Sequence, residues 1–242
     1  MTTMLELRGV SKAYGEGAAK VQALAEVSLS VDEGAMVAVM GPSGSGKSTL
    51  LTIAGSLEEA TSGEVLVGGH ELSKMSRNGK ARLRRRMIGY VFQDFNLLPG
   101  LTAAENVALP LELDGMPGKK AYAVGLQALE GLGLAERAAQ YPDQLSGGER
   151  QRVSIARAMV GERRLLLADE PSGALDSLNS EAVMRLMHDA CKRRGMAAVV
   201  VTHDAQLASW ADRVVFLRDG RAIDQTTPVP DTASLIAPGQ TQ

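Results

Sequence analysis

The stretch Gly41–Thr49, GPSGSGKST, constrains this chain more than any other. It follows the continuous apolar run Ala35–Met40 and leads into KSTLLTIAG, so it predicts a buried strand, a glycine-rich turn and a helix in direct succession. That succession is the unit of an α/β nucleotide fold. The loop has the full form G-x-x-x-x-G-K-[ST], in which glycines let the backbone wrap close to phosphate and successive N–H groups meet its negative charge. Gly41, Ser43, Gly44, Ser45 and Gly46 are the expected cradle. Lys47 is expected to reach the β- and γ-phosphates, Ser48 to offer its hydroxyl to Mg²⁺, and Thr49 to add a further hydrogen bond.

A second apolar strand, Leu165–Asp169, ends abruptly in Asp169 and Glu170. Carboxylates at the rim of a parallel sheet lie where ligands bind. Asp169 is therefore the expected Mg²⁺ partner and Glu170 the base that polarises an attacking water, although an acidic pair after a strand also serves as an ordinary helix cap. Ala197–His203 repeats the pattern and delivers His203 to the same sheet edge, within reach of a γ-phosphate. Gln93, after the strand Ile88–Phe92, has equivalent geometry and is a candidate to ligate Mg²⁺ or hold the water.

Around these strands, alternating residues predict half-buried strands at Met4–Val10 and Val21–Val31, and Glu64–Val67 with Gly68 and Gly69 reads as one arm of a hairpin. The run from Ala121 to Leu134 is helical in pattern, and an inserted helical subdomain is expected over about residues 94–160. A helix from about Ser180 to Arg194 carries Val183, Leu186, Met187, Ala190 and Cys191 on one apolar stripe, which makes the only cysteine core filler. Asp219 and Gly220 form a two-residue turn, and the Pro- and Thr-rich end from residue 225 onward reads as a loosely ordered tail beyond a single domain of residues 1–224.

A formal net charge of -2 supplies no basic field to draw the chain onto nucleic acid, so no nucleic-acid partner is expected. One cysteine excludes an internal disulfide and favours a reducing compartment. No apolar run approaches the roughly 20 residues of a spanning helix, so any membrane role must run through a partner. The run Arg82–Arg86, RLRRR, reads as a solvated helix face better than as a lipid contact.

Together, GPSGSGKST, LSGGERQR at Leu145–Arg152, LLLADEP at Leu165–Pro171, SGALD at Ser172–Asp176 and VTHD at Val201–Asp204 resemble the ATP-binding cassette ATPases, in the family's order from about Leu5 to Ile223. The resemblance implies a RecA-like P-loop NTPase core with an antiparallel β subdomain and an inserted α-helical subdomain. It implies ATP and Mg²⁺ as ligands, Tyr14 stacked on adenine, Gln93 as the Q-loop glutamine, Asp176 at a dimer seam and His203 as the switch histidine. It further implies that Ser146, Gly147, Gly148 and Glu149 face the γ-phosphate held by a second copy, giving a head-to-tail dimer. The signature ends in Glu149 where many relatives have Gln. Phe92–Leu111 is similar to the branch of lipoprotein-release, macrolide-export and cell-division ATPases. That branch implies a separate membrane permease with few spanning helices, at the cytoplasmic face of a bacterial membrane. It leaves open an exporter or a regulator of a cell-wall enzyme; a soluble relative in translation or DNA repair would carry tandem cassettes, a zinc module or a coiled-coil insertion.

Overall fold

A computed structural model describes residues 2–172 and 177–226. Asp176 and residues 227–242 of the expected tail lie outside the described residues; the tail starts later than residue 225, because Gln225 and Thr226 still pair with Val215 and Val214 in the last strand. Two sheets and a helical layer make up the fold. The first sheet is antiparallel and joins β1 (Thr3–Tyr14), β2 (Val21–Asp32), β4 (Ser62–Val67) and β5 (His70–Glu71) in the order β2-β1-β4-β5. The hairpin expected at Gly68 and Gly69 is present, Val67 pairing with His70.

The second sheet has the order β10-β9-β3-β8-β7-β6, built from β3 (Met36–Met40), β6 (Ile88–Val91), β7 (Leu165–Asp169), β8 (Ala197–Val201), β9 (Arg213–Arg218) and β10 (Arg221–Thr226). β3, β6, β7, β8 and β9 run parallel, and β10 turns back antiparallel through Asp219 and Gly220. Every residue of β3 and of β8 is buried, which is why these segments read as unbroken apolar runs rather than alternating ones.

The alternation survives in which core each side chain joins. Val37, Val39, Leu165, Leu167, Val199 and Val201 point to one face, where they meet Leu50, Leu51 and Ile53 of α1 (Lys47–Ala54) and the antiparallel sheet. Burying each of those three α1 side chains contributes about 1.5–3 kcal/mol. Met36, Ala38, Leu166, Ala168, Ala198 and Val200 point to the other face, against Val183, Met187, Ala190 and Cys191 of α6 (Ser177–Arg194) and Leu207 of α7 (Ala205–Ala208). Cys191 is fully buried there, and burial pushes its thiol up to about 12.

A third core joins α3 (Ala103–Leu113), α4 (Gly118–Glu130) and α5 (Gly147–Met159). Its small side chains let α3 and α4 approach closely: a Cβ on Gly125 would lie 2.9 Å from the Ala104 carbonyl oxygen. α3 and α5 each start in a full capping box, Thr102 with Glu105 and Ser146 with Glu149. The helix expected from Ala121 to Leu134 stops at Glu130, because Gly131 and the left-handed Gly133 end it.

The arginine run lies on α2 (Arg77–Met87), and only part of it meets solvent. Arg84 donates to the Ser56 carbonyl at 2.7 Å, while Arg85 and Arg86 hold Asp114, at the end of α3, at 3.1 and 2.9 Å. Asp114 sits far away in sequence and supplies the partner that local pattern could not reveal. No helix among the described residues is long and apolar enough to cross a membrane.

Candidate functional site

β3 delivers the chain to Gly41, and α1 begins at Lys47. Gly46, just before the helix, has φ of 101°, and a Cβ there would sit 2.3 Å from the Ala23 carbonyl oxygen of β2. Glycine is therefore required twice over, by backbone angle and by packing. The Lys47 ammonium donates to the carbonyls of Gly41 and Pro42, both at 2.8 Å, so its charge lies across the loop. The Ser45 hydroxyl is buried inside the loop with no partner among the described residues.

Three strands of the parallel sheet bring the remaining groups to this loop. β7 ends at Asp169, which accepts a hydrogen bond from the Ser48 side chain. Burial pushes the Asp169 carboxyl above its usual value, and the Ser48 bond opposes that shift. Glu170 follows with φ of 45°, a left-handed conformation that costs a non-glycine residue on the order of 1–3 kcal/mol. Its N–H is held by the Val201 carbonyl of β8 at 3.0 Å. That anchor turns the Glu170 carboxylate toward His203, whose Nδ1 lies 2.9 and 3.0 Å from the two carboxylate oxygens. Gln93 enters from β6, two residues past Val91.

Lys47, Ser48, Gln93, Asp169, Glu170 and His203 line one cavity of about 640 Å³, along with the glycine-rich loop and Val21, Gln22 and Ala23 of β2. The β2 residues escape a reading of the sequence, because an alternating strand carries no sign of which end will face a ligand. A larger cavity, about 850 Å³, lies between α4, α5 and α6 and contains none of the motif residues. Size does not mark the site; convergent donors and carboxylates do.

Other expected residues lie apart from this cavity. Tyr14 ends β1 opposite Val21 at the cavity rim; its hydroxyl donates to Glu58 at 2.6 Å and the Lys12 ammonium lies 5.0 Å from its ring centroid. Its ring is not part of the cavity lining. Ser146, Gly147, Gly148 and Glu149 open α5, also outside the lining. Ser146 is exposed, with its hydroxyl accepting from the Glu149 N–H at 3.3 Å. The Glu149 carboxyl is held down to about 2 by the Ser146 backbone N–H and by Arg137 at 2.7 Å.

The Glu170 contact also makes a titration prediction. The hydrogen bond to Glu170 raises His203 above the usual 6.5. The pair's contribution to stability is thus complete below 6.5 and is lost as pH rises through the raised value. A proton NMR titration should find the His203 midpoint above 6.5, falling back toward it in Glu170→Gln. Equal midpoints in the two proteins would mean that the pair does not form in solution.

A family model described as ABC transporter matches residues 24–173. The lipoprotein-releasing system ATP-binding protein LolD of Shewanella denitrificans is 46% identical over 219 residues, covering 90% of this chain and 94% of the relative. The macrolide export ATP-binding/permease protein MacB of Marinobacter nauticus is 44% identical over 223 residues, covering 92% of this chain and 34% of the relative. The chain thus spans about a third of the length of the MacB relatives that it matches. Among solved structures, the dimeric structure of MJ0796, a bacterial ABC transporter cassette, superposes with a TM-score of 0.87 at 40% identity, covering 94% of this chain and 100% of that one. A post-hydrolysis state of the same cassette, bound to ADP and Pi, superposes equally well.

Proposed function

The chain belongs to the ABC transporter family, and from that premise we propose that it is the ATP-binding and ATP-hydrolysing subunit of a membrane complex. Two copies work head to tail beneath a separately encoded permease at the cytoplasmic face of the membrane. The observation that carries this reading is the gathering of Lys47, Ser48, Gln93, Asp169, Glu170 and His203 around one cavity.

Each residue has a task that follows from its chemistry. The Lys47 ammonium and the loop N–H groups bind the β- and γ-phosphates at the start of α1. Ser48, Asp169 and Gln93 offer oxygen ligands, a donor set that suits a hard cation such as Mg²⁺. Bound there, Mg²⁺ would neutralise charge on the phosphate oxygens. Glu170 accepts the proton of the attacking water. His203, with Nδ1–H donated to Glu170, keeps that carboxylate aimed and leaves Nε2 for the phosphate.

The exposed start of α5 is proposed as the clamp that one copy offers to its partner's nucleotide. Ser146 caps the helix, and Gly147 and Gly148 present backbone without side chains. Tyr14 at the cavity rim is proposed to stack on adenine, and the segment after Gln93 to receive the permease. Similarity to lipoprotein-release and macrolide-export proteins suggests a lipoprotein, peptide or drug as the substrate moved by that permease.

The test uses tagged Glu170→Gln chain recovered from native membranes with ATP and Mg²⁺. A dimer that co-purifies with a permease of about four spanning helices is expected. Recovery of a chain that remains monomeric and carries no membrane protein would replace the transporter reading with that of a soluble ATPase.

A further inference from the structure

Gln93 sits on a short tether between two parts of the molecule. On its N-terminal side the Phe92 ring stacks on Tyr90 of β6, with centroids 4.3 Å apart, and so belongs to the sheet. On its C-terminal side Phe95 and Asn96 have φ of 58° and 49°. Left-handed conformations at two successive non-glycine residues persist only where the surroundings hold them.

The holding groups come from α5. The Arg157 guanidinium donates from Nη1 to the Asn96 carbonyl at 2.6 Å and from Nη2 to the Phe95 carbonyl at 2.9 Å. Arg150, two turns earlier on the same helix, lies 5.5 Å from the centroid of the Phe95 ring. Beyond that point the Asn106 side chain of α3 accepts from the Leu98 N–H at 2.8 Å and donates to the carbonyls of Leu98, Leu101 and Thr102 at 3.1, 2.9 and 3.0 Å. Residues 95–102 are thus fastened to the helical layer, while Phe92 is fastened to the sheet. Gln93 and Asp94 alone lie between the two anchors, in a turn closed by the Phe95 N–H on the Phe92 carbonyl at 3.2 Å, so movement between the anchors must pass through that turn.

We infer that Arg157 is a positioning residue for Gln93: its fork fixes the backbone two and three residues after Gln93, so that the amide enters the nucleotide cavity only when α5 is in register with the sheet. α5 is also the helix that begins at Ser146, so one rigid rod ties the proposed clamp for the partner's nucleotide to Gln93 in the chain's own cavity. The chemistry favours arginine. An ammonium can also bond two successive carbonyls, as Lys47 does at Gly41 and Pro42, but from one freely rotating nitrogen, whereas Nη1 and Nη2 hold the Asn96 and Phe95 carbonyls from two donors fixed in one plane. The inference rests on the ATPase reading of the cavity.

The test is a double-mutant cycle in the full chain, with kcat and KM for Mg-ATP and a melting temperature measured for each protein. Arg157→Lys keeps the charge and loses the fork. It is expected to lower kcat on the order of tenfold, as a modest misplacement of a reacting group does, with KM changed less than about twofold. In a Gln93→Ala background the same substitution is expected to change kcat less than about twofold, because both changes act through one group. Equal losses in the two backgrounds, or unchanged kcat in Arg157→Lys, would overturn the inference.

Should Arg157→Lys fail to fold, Arg157→Gln, whose single shorter amide cannot hold both carbonyls, must show the same dependence on Gln93. The two readings fail separately. A wild-type chain without Mg-ATP turnover removes the ATPase reading and this inference with it. Turnover that is lost in Glu170→Gln but is additive across the Arg157 and Gln93 changes removes this inference alone.

Discussion

Glu170→Gln is expected to bind ATP about as well as the wild-type chain while turnover falls at least about a hundredfold, the usual scale for losing a general base. The substitution is nearly isosteric, so the left-handed backbone at Glu170 and its N–H bond to Val201 are undisturbed. What changes is basicity, since an amide cannot take the proton of the attacking water. Steady-state hydrolysis and equilibrium nucleotide binding, measured on the same preparation, check it. Near-normal turnover in this variant would remove Glu170 from the chemistry and leave its strained backbone without a catalytic reason.

Lys47→Ala is expected to weaken ATP binding by about ten- to a hundredfold, the range for one charged hydrogen-bonding group at about 1.5–3 kcal/mol. The ammonium bridges the Gly41 and Pro42 carbonyls, so its removal also loosens the loop itself. Gly41 and Pro42 line the open cavity, where water can take the place of the ammonium, and the Pro42 carbonyl keeps its bond from the Ser45 N–H at 3.2 Å, so the melting temperature should fall far less than the affinity. Titration calorimetry with ATP checks the first effect and thermal melting the second. Unchanged affinity would contradict the phosphate role of the loop.

Much of this site was legible in the chain before any coordinates. An apolar run long enough for a buried strand, then glycines, Lys47 and Ser48, admits few folds, and Asp169, Glu170 and His203 each close an apolar run of the same kind. The parallel sheet brings them to one edge because parallel strands share a C-terminal end, a property of topology that local pattern conveys. Distances across the fold were not legible. The left-handed angle at Glu170, the pairing of Glu170 with His203 and the approach of Ala23 to Gly46 depend on how separate segments pack. The hold of Arg157 on Asn96, 61 positions away, is of the same kind. Asp114 changed the meaning of the arginine run for that reason too: charge counted along one helix omits the carboxylate that another helix brings to it.

The buried Cys191 bears on how this protein can be labelled. It is the only cysteine in the chain, it is fully covered, and its thiol is pushed up to about 12, so almost none of it is thiolate near neutral pH. Maleimides and spin labels therefore meet a silent background without any substitution of native residues. A cysteine placed at an exposed position such as Leu113 would be the one reactive thiol per copy. Paired labels would then read distances between copies, and fluorophores the approach of α3 to a membrane partner, on a protein otherwise unchanged.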